Sequence, residues 1–392
     1  MRSLSGMVSI TTVRGDTCLT LRNWSRPTFM KSVIPKSILM VIRGLDPVGT
    51  GRQIEIVAEG FRHAGWTVQV AVTTSGGAVP LRLHGAGFGI HRLNGRTSVD
   101  LTAVRHLLRV VGAVRPAVIF CWGSSQAQAG VLAKAYCPGV RLISHLARPP
   151  KGLATAWALR LADCVIATSP GVQQACQRAG VAAGRLELIP PGIVAAAEAR
   201  LSRQQLAARL GLDANKKWTL CVAPLEARSR LDRLLWAIDQ LGVVNRDLEH
   251  VLIGSGRLRL QLLRRARVQQ LAERLHLVSE CDCVEDLLSQ VRLVWQSGDV
   301  AYGGAILDGM AHGVGAVAVA SDAAGQLIVS EETGRIVAAD PESEFPRRAM
   351  ALLEDDALWA RYGGAARARA IQNFSAADLV IRQIVAVERA MA

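Results

Sequence analysis

The segment SILMVIRGLDPVGTGRQIEIVAEGFRHAGWTVQVAV, Ser37 to Val72, contains a strand, a glycine-containing loop, a helix and a second strand in succession. Its first six residues, SILMVI, are almost entirely apolar, as in a strand that is buried on both faces of a sheet. The part RQIEIVAEGFRHAG has apolar residues at helical spacing and ends on Gly65, a natural helix stop. A strand, a helix and a strand in this order predict a parallel βαβ unit.

The same alternation continues along the chain and then starts a second time. Strand-like runs such as VIFCW, VRLISHL and DCVIATS alternate with helical segments as far as Gly192. A polar, helical segment at 193–215 fits a connector, and KKWTLCVAPL opens the second series. Helical segments are predicted at 231–241 and 257–275, and TGRIVAAD is predicted to be a turn before three closing helices. Repeated βα units predict an α/β protein with two tandem doubly wound, Rossmann-like domains.

The domain limits follow from where these patterns start and stop. Residues 1–35 follow neither period and have no apolar core of signal-peptide length, so we expect them to be disordered or to precede the true start. We predict an amino-terminal domain at 36–192, a carboxyl-terminal domain at 193–373, and a last helix at 374–392 that packs back across the domains. Ligands of such folds bind at the carboxyl ends of strands, so we expect the site between the two domains.

Composition limits the class of protein. Half of the 392 residues are hydrophobic, but no apolar run reaches the roughly 18 residues of a membrane span, so we expect a soluble, cytoplasmic protein. The formal net charge is +14, which suits an anionic membrane, a phosphorylated substrate or nucleic acid, or simply reflects solvated helix faces. With three Tyr and six Phe the chain has few side chains on which bases could stack, so we expect no nucleic acid partner.

The eight cysteines indicate neither a metal site nor a disulfide framework. Several lie in apolar, strand-like runs, where a cysteine behaves as a small hydrophobic residue. Cys281 and Cys283 form a single C-x-C that has no second pair at metal-binding spacing. We therefore expect a reducing compartment and no bound metal.

Four segments carry a resemblance that runs from about Ile38 to Ala390. They are GTGRQIEIVAEGFRHAGWTVQVAV, LADCVIATSPGVQQACQRAGVAAGRLELIPPGI, VLIGSGRLRLQL and ILDGMAHGVGAVAVASDAAGQLIVSEETGRIV. In this order and spacing they resemble the GT-B-fold glycosyltransferases of family 4, retaining enzymes that use nucleotide sugars. The resemblance implies a GT-B architecture with the acceptor on the amino-terminal side and the nucleotide sugar on the carboxyl-terminal side.

The resemblance also implies two donor-binding carboxylates, eight positions apart, in the stretch GDVAYGGAILDGMAHG. Asp308 occupies the second position, where the family's carboxylate bonds the ribose. Val300 occupies the first, and its side chain cannot accept a hydrogen bond. The adjacent Asp299 could replace that carboxylate only through a one-residue shift. The alternative for Asp308 is a solvated residue on an amphipathic helix.

A cationic pair is implied in the loop VAPLEARSRLDRLL. The family's Arg and Lys positions are occupied here by Pro224 and Ser229, and Arg228 and Arg230 flank the latter. A planar guanidinium binds a diphosphate at least as well as an ammonium group does. Arginines and helix N-termini can stabilise a leaving diphosphate, so we expect no cofactor and no metal. The alternative is two exposed loop arginines.

The remaining implied site residues are a histidine and three pairs of glycines. His145 ends a predicted strand and is the implied catalytic residue near the sugar or acceptor, with Arg148 close by for an anionic acceptor. Glycines leave the backbone open to a close-approaching ligand, although each pair also fits an ordinary turn. The pairs are Gly303 with Gly304 and Gly254 with Gly256 on the donor side, and Gly49 with Gly51 in the amino-terminal glycine loop.

Two functions fit this set of residues. One is transfer of a sugar, with retention, from a nucleoside diphosphate sugar to a glycan, lipid-linked or small acceptor. The other is a catalytically inactive protein of the same fold that acts as a nucleotide-binding or partner subunit, which the missing carboxylate and the altered cationic pair favour. The implied partners are the nucleotide sugar and the acceptor. The basic surface adds peripheral contact with the anionic inner face of the membrane.

Overall fold

The computed structural model describes residues 36–44, 48–73, 78–95, 100–279 and 281–392, and the predicted segment at 1–35 lies outside them. The described residues form two parallel sheets, each with helices on both faces. The predicted α/β class with two doubly wound domains is confirmed.

The first sheet contains seven strands in the order β3-β2-β1-β4-β5-β6-β7, and the neighbouring strands are parallel. Its strands are β1 (Ser37–Ile42), β2 (Thr67–Val72), β3 (Gly89–Arg92), β4 (Val118–Trp122), β5 (Arg141–Leu146), β6 (Cys164–Ala167) and β7 (Leu186–Leu188). Its helices are α1 (Thr50–His63), α2 (Ala78–Gly85), α3 (Leu101–Val114), α4 (Ser124–Tyr136), α5 (Leu153–Arg160) and α6 (Pro170–Arg178). Helices α3–α6 share one apolar core with one face of the sheet, while α1 and α2 pack on the opposite face.

The second sheet contains six strands in the order β10-β9-β8-β11-β12-β13, again with parallel neighbours. Its strands are β8 (Lys217–Val222), β9 (Leu248–Ile253), β10 (Leu275–Val278), β11 (Leu293–Gln296), β12 (Ala316–Val319) and β13 (Gly334–Val337). The helices of this half are α7 (Arg203–Leu210), α8 (Leu231–Val244), α9 (Arg259–Val268), α10 (Val284–Leu288), α11 (Ile306–Ala311), α12 (Asp322–Leu327), α13 (Glu344–Glu354), α14 (Asp356–Asn373) and α15 (Ala376–Met391).

Several sequence-based assignments were wrong in detail. The segment TGRIVAAD, predicted as a turn, contains the edge strand β13, and the short α2 and β3 were not predicted at all. The two strands have the sequences GIHR and GRIV and are only partly buried, so neither leaves the continuous apolar run by which the other strands were recognised. Helix α9 stops well before residue 275, since Gln270 adopts a left-handed φ of 55° that no α-helix contains. The segment at 193–215, predicted as a helical connector, is helical only over α7.

The chain crosses between the two sheets at two adjacent points. The Ile193 amide donates to the Phe374 carbonyl at 2.7 Å, and the Ala376 amide donates to the Ile193 carbonyl at 3.1 Å. Helix α15 then packs on α1, where Gly60 lies so close to Val380 that a Cβ would stand 2.2 Å from its Cγ1. The last helix therefore belongs to the apolar core of the first sheet.

The glycine turn after β9 packs directly on the backbone that follows β8. A Cβ on Gly254 would lie 2.0 Å from the Ala223 carbonyl oxygen, and one on Gly256 would lie 2.6 Å from that of Leu225. The Leu225 amide donates to the Ser255 carbonyl at 2.9 Å, which ties the two loops together. These two glycines are therefore required by close backbone approach, whatever ligand the turn contacts.

We expect Gly254→Ala to lower the free energy of unfolding by about 3 kcal/mol, because the backbone on which it collides cannot rotate away. Urea unfolding followed by circular dichroism measures this change. Gly325→Ala in α12 is the matched control, since a Cβ there meets nothing within 4 Å. Equal stability of the two variants would contradict the close-approach argument.

Candidate active site

A cleft with a volume of about 910 Å³ lies between the two sheets, at the carboxyl ends of the strands. From the first sheet it is lined by residues that follow β1, β4 and β5. From the second it is lined by residues that follow β8, β9, β10 and β11. The cleft lies where the sequence predicts a ligand site, because parallel strands end at one edge of a sheet and two such edges face each other here.

Cations outnumber carboxylates among the residues that line the cleft. The cationic side chains are Arg43, Arg148, Lys151 and Arg228, and the carboxylates are Glu226 and Asp299. Glu226 contacts Arg228 at 2.7 Å and, across the cleft, Arg43 at 3.6 Å. Asp299 lies 3.8 Å from Arg148. The excess of positive charge suits an anionic ligand such as a diphosphate.

His145 is the penultimate residue of β5, lies inside this cleft and is held by two aromatic side chains. Its ring stacks on Trp122 with the ring centroids 4.1 Å apart, and its Nδ1 lies 3.1 Å from the Tyr302 hydroxyl of the opposite domain. Burial lowers the pKa of His145 to about 3, so the ring is neutral. Burial raises the pKa of Tyr302 well above its ordinary value, with partial opposition from Arg148. We therefore assign the bond as Tyr302 donating to Nδ1, with the histidine proton on Nε2.

We expect no ionisation of His145 between about pH 5 and 8 in the dependence of kcat/KM on pH, since its lowered pKa leaves the neutral ring as the only populated form there. The measurement is a pH profile recorded beside the His145→Gln variant. An inflection near pH 6.5 that the variant lacks would show a charged imidazolium and contradict the assignment.

Tyr302 and Trp122 were not singled out by the sequence analysis. Tyr302 lies in the turn Ala301–Gly303 with a left-handed φ of 56°, and its side chain packs with the apolar core of the first sheet. Gly303 and Gly304 follow with φ values of 72° and 59°, so the loop is a run of left-handed residues. The sequence signal that could have identified Tyr302 was its place inside the glycine-rich stretch, as one of three tyrosines in the chain.

Asp308 is the third residue of α11 and is buried against the opposite domain. Its Oδ1 lies 3.3 Å from Nε of Arg52 in α1, and Arg52 also contacts Glu285 at the start of α10. Burial raises the pKa of Asp308, and the charge of Arg52 opposes this only in part. For Glu285, burial also acts to raise the pKa, but the charge and the hydrogen bond of Arg52, with smaller contributions from His312 and Arg82, lower it overall. The direct contact of Asp308 is therefore an arginine of the other domain, and Asp308 is not among the cleft-lining residues.

The two arginines of the loop after β8 point in different directions. Arg228 lines the cleft, whereas Arg230 contacts Asp232 at 3.4 Å and Glu342 at 4.0 Å and is not among the lining residues. Arg230 has a left-handed φ of 46°, so the chain turns just where α8 begins. The structure therefore separates two residues that the sequence treated as equivalent. Of the positions the resemblance implied, Pro224 lines the cleft and Ser229 is buried, its hydroxyl bonded to the Pro224 carbonyl at 2.6 Å.

The predicted glycines also separate into those that line the cleft and those that do not. Those that line the cleft are Gly49, Gly254, Gly256 and Gly304. Gly51 and Gly303 are buried behind it. Gly49 caps α1 with a φ of 61°, and the Gly304 carbon is so close to the Val222 carbonyl that a Cβ would stand 2.5 Å from its oxygen. Val300 lines the cleft with an apolar side chain, so the first of the two implied carboxylates has no replacement at that position.

Two other features bear on ligands and location. Within the described part of the chain, no three His, Cys, Asp or Glu side chains converge as a metal site would require. Across the same residues, none of the helices has both the length and the apolar character needed to cross a bilayer.

Comparison with known proteins identifies both halves of the chain. Residues 47–196 match the model of glycosyltransferase family 4, and residues 216–355 match the model of glycosyl transferases group 1. Together the two matches span well over half of the chain and confirm the resemblance. No curated protein matches the sequence.

Solved structures share the fold over nearly the whole chain. HepE of Anabaena, in complex with UDP and glucose, is 18% identical with a TM-score of 0.77, covering 90% of this chain and 100% of HepE. Sucrose-phosphate synthase of Thermosynechococcus elongatus is 17% identical with a TM-score of 0.73, covering 90% and 98%. A glycosyltransferase of Rickettsia africae is 15% identical with a TM-score of 0.72, covering 91% and 99%. These likenesses confirm the GT-B architecture.

Proposed function

We propose that this chain, which belongs to the glycosyltransferases with a family 4 amino-terminal domain and a group 1 carboxyl-terminal domain, transfers a sugar with retention from a nucleoside diphosphate sugar. The acceptor is a glycan, a lipid-linked or a small molecule bound on the amino-terminal side. The observation that carries the proposal is the cleft itself, with its excess of arginine and lysine at the strand ends of both domains. HepE, which shares the fold, binds UDP and glucose in its crystals.

In the proposed reaction the bond between the sugar C1 and the diphosphate oxygen breaks, and the acceptor hydroxyl oxygen bonds to C1 on the same face. The acceptor proton passes to the departing diphosphate. Arg228 and Arg43, which share Glu226, stabilise the negative charge that develops on this leaving group. We propose no metal in this step, because the guanidinium groups supply the positive charge.

His145 serves in this proposal as a neutral hydrogen-bond donor to the sugar or the diphosphate through Nε2. The stacked Trp122 and the Tyr302 hydroxyl hold the ring in one orientation and one tautomer. A donor that is held in place before the reaction costs no reorganisation when charge develops, which is how such groups accelerate transfer. The glycines that border the space for the nucleotide are Gly254, Gly256 and Gly304.

Isothermal calorimetry with UDP, GDP and ADP, and then with their sugars, tests the proposal. We expect one nucleoside diphosphate to bind and its sugar to be consumed when acceptor is added, with release of the diphosphate. If no nucleotide binds at millimolar concentration, the donor site is refuted.

The second function, an inactive nucleotide-binding or partner subunit, is favoured by one particular observation. The first donor carboxylate is replaced by Val300, and the second, Asp308, is buried against Arg52. Tight nucleotide binding without any release of diphosphate from the bound sugar, over a panel of acceptors, would establish this second function in place of the first.

A further inference from the structure

One face of the amino-terminal domain is strongly depleted of carboxylates. Residues 101–178 contain nine lysines and arginines but a single acidic residue, Asp163, in a chain whose overall counts are 46 and 32. That one carboxylate lies 2.7 Å from Lys134 and 3.6 Å from Arg141, so its charge is matched locally. The helices of this segment, α3–α6, cover one face of the first sheet. The face therefore has a net positive charge of its own.

The opposite face of the same sheet differs. Helix α1 carries Glu55 and Glu59, and α15 carries Asp378 and Glu388. These acids balance the basic residues of the same helices, and three of them form ion pairs with basic residues. The depletion is thus a property of one surface and not of the basic composition of the chain as a whole.

The same surface exposes large apolar side chains at helical spacing. On α5 and its carboxyl-terminal cap the residues Leu153, Trp157 and Leu161 recur every fourth position, with Leu153 exposed to 90% and Trp157 to 58%. On α4 the exposed Leu132 and Tyr136 are also four residues apart. Four-residue spacing places side chains on one side of a helix, so each helix presents an apolar stripe to solvent.

Helices α4 and α5 lie side by side. The Gln128 side chain donates to the Thr155 hydroxyl at 2.9 Å, and Lys134 donates to the Leu161 carbonyl at 3.3 Å. Arg105 and Arg109 are exposed along the adjacent α3. We call the solvent side of α3, α4 and α5 the α3–α5 face.

The α3–α5 face borders the cleft. The first residues of α4 line the cleft, and so does Lys151, two positions before Leu153 at the start of α5. A flat partner on this face would therefore reach the entrance through which an acceptor approaches the amino-terminal side of the site.

We propose that the α3–α5 face binds the surface of an anionic lipid bilayer, and that the acceptor is accordingly a lipid-linked molecule presented from that bilayer. The acceptor class rests on the proposed function, whereas the binding surface does not. Apolar side chains that include a tryptophan, flanked by basic residues, match the boundary between acyl chains and anionic headgroups. Nucleic acid would match the charge but would leave Leu153 and Trp157 without an apolar environment.

Co-sedimentation of the full-length chain with vesicles tests the surface. The probes are vesicles of phosphatidylcholine with phosphatidylglycerol and vesicles of phosphatidylcholine alone. We expect binding to the anionic vesicles that falls at least about 10-fold in the variant Leu153→Ser with Trp157→Ser, because two exposed apolar side chains are lost. Each of Arg105→Gln and Arg109→Gln should weaken binding by about 5-fold.

Matched controls come from the other domain. Val243 and Val244 on α8 are comparably exposed, and Arg264 and Arg267 on α9 are exposed arginines. Changing the valines to Ser, or these arginines to Gln, should leave vesicle binding within about twofold, since neither pair lies on the α3–α5 face. All substituted side chains are on the surface, so circular dichroism should show unchanged folding.

The outcomes separate this proposal from the proposed function. Absence of vesicle binding, or equal binding by the α3–α5 variants and the controls, would overturn it even if the protein transfers sugar. The proposal would also be overturned if the same variants lost binding to a short duplex RNA but kept their binding to vesicles. If the surface is correct, the variants should keep wild-type affinity for nucleotide and lose transfer only to vesicle-embedded acceptors.

Discussion

Arg228→Ala should lower kcat/KM for the nucleotide sugar by about 100-fold, while Arg230→Ala should leave it within about twofold. The two residues are two positions apart in one loop and carry the same charge. Arg228 lines the cleft beside Glu226, whereas Arg230 is directed to Asp232 and Glu342. A guanidinium contributes to transfer only if it contacts the developing charge of the diphosphate, and only Arg228 is placed to do so.

Steady-state kinetics with varied donor measure this difference. The pair is its own control, because each change removes one arginine from the same loop and alters the net charge equally. A similar loss in both variants would mean that long-range charge, and not a contact, is responsible. No loss in either would favour the inactive subunit.

Arg52→Met should lower the free energy of unfolding by about 3–5 kcal/mol. Arg52 joins α1 of the first domain to Asp308 and Glu285 of the second, and its side chain is 14% exposed while that of Asp308 is 5% exposed. Removing the guanidinium leaves a buried carboxylate with no opposite charge. Methionine retains most of the apolar stem, so the change reports on the lost charge rather than on lost packing.

Urea unfolding at two pH values measures the effect and its cause. Burial raises the pKa of Asp308 already, and without Arg52 it should rise further. A raised pKa in the folded state means that the folded protein holds the proton more tightly, so the deficit is greatest above that pKa and shrinks as the pH falls through it. A deficit that does not change between pH 7 and pH 5 would contradict an electrostatic origin.

The double variant Arg52→Met with Asp308→Asn provides the rescue. A neutral amide of the same shape removes the unpaired charge, so we expect it to recover more than about 1 kcal/mol relative to Arg52→Met alone. Comparison of the two single variants with the double variant shows whether the effect of Asp308 on stability depends mainly on Arg52. If Asp308→Asn abolishes nucleotide binding while the stability stays high, Asp308 is a donor ligand as well as an ion-pair partner.

Much of the architecture followed from local sequence. Strands buried on both faces leave continuous apolar runs, and helices between them leave apolar residues at helical spacing, so β1, α1 and β2 were evident from the chain alone. The position of the cleft also followed, because strand ends and glycine turns are local features. The edge strands β3 and β13 escaped, since their residues, GIHR and GRIV, are only partly buried and form no continuous apolar run.

The sequence by itself determined the α/β class, the two repeated domains and the place of the cleft, because each depends on patterns within a few residues of one another. Only the tertiary structure decided which side chains meet there. It paired Asp308 with Arg52 of the other domain, brought Tyr302 to His145, and turned Arg230 away from the cleft that Arg228 lines. These outcomes depend on how two separately folded sheets face each other, and no local pattern records that geometry.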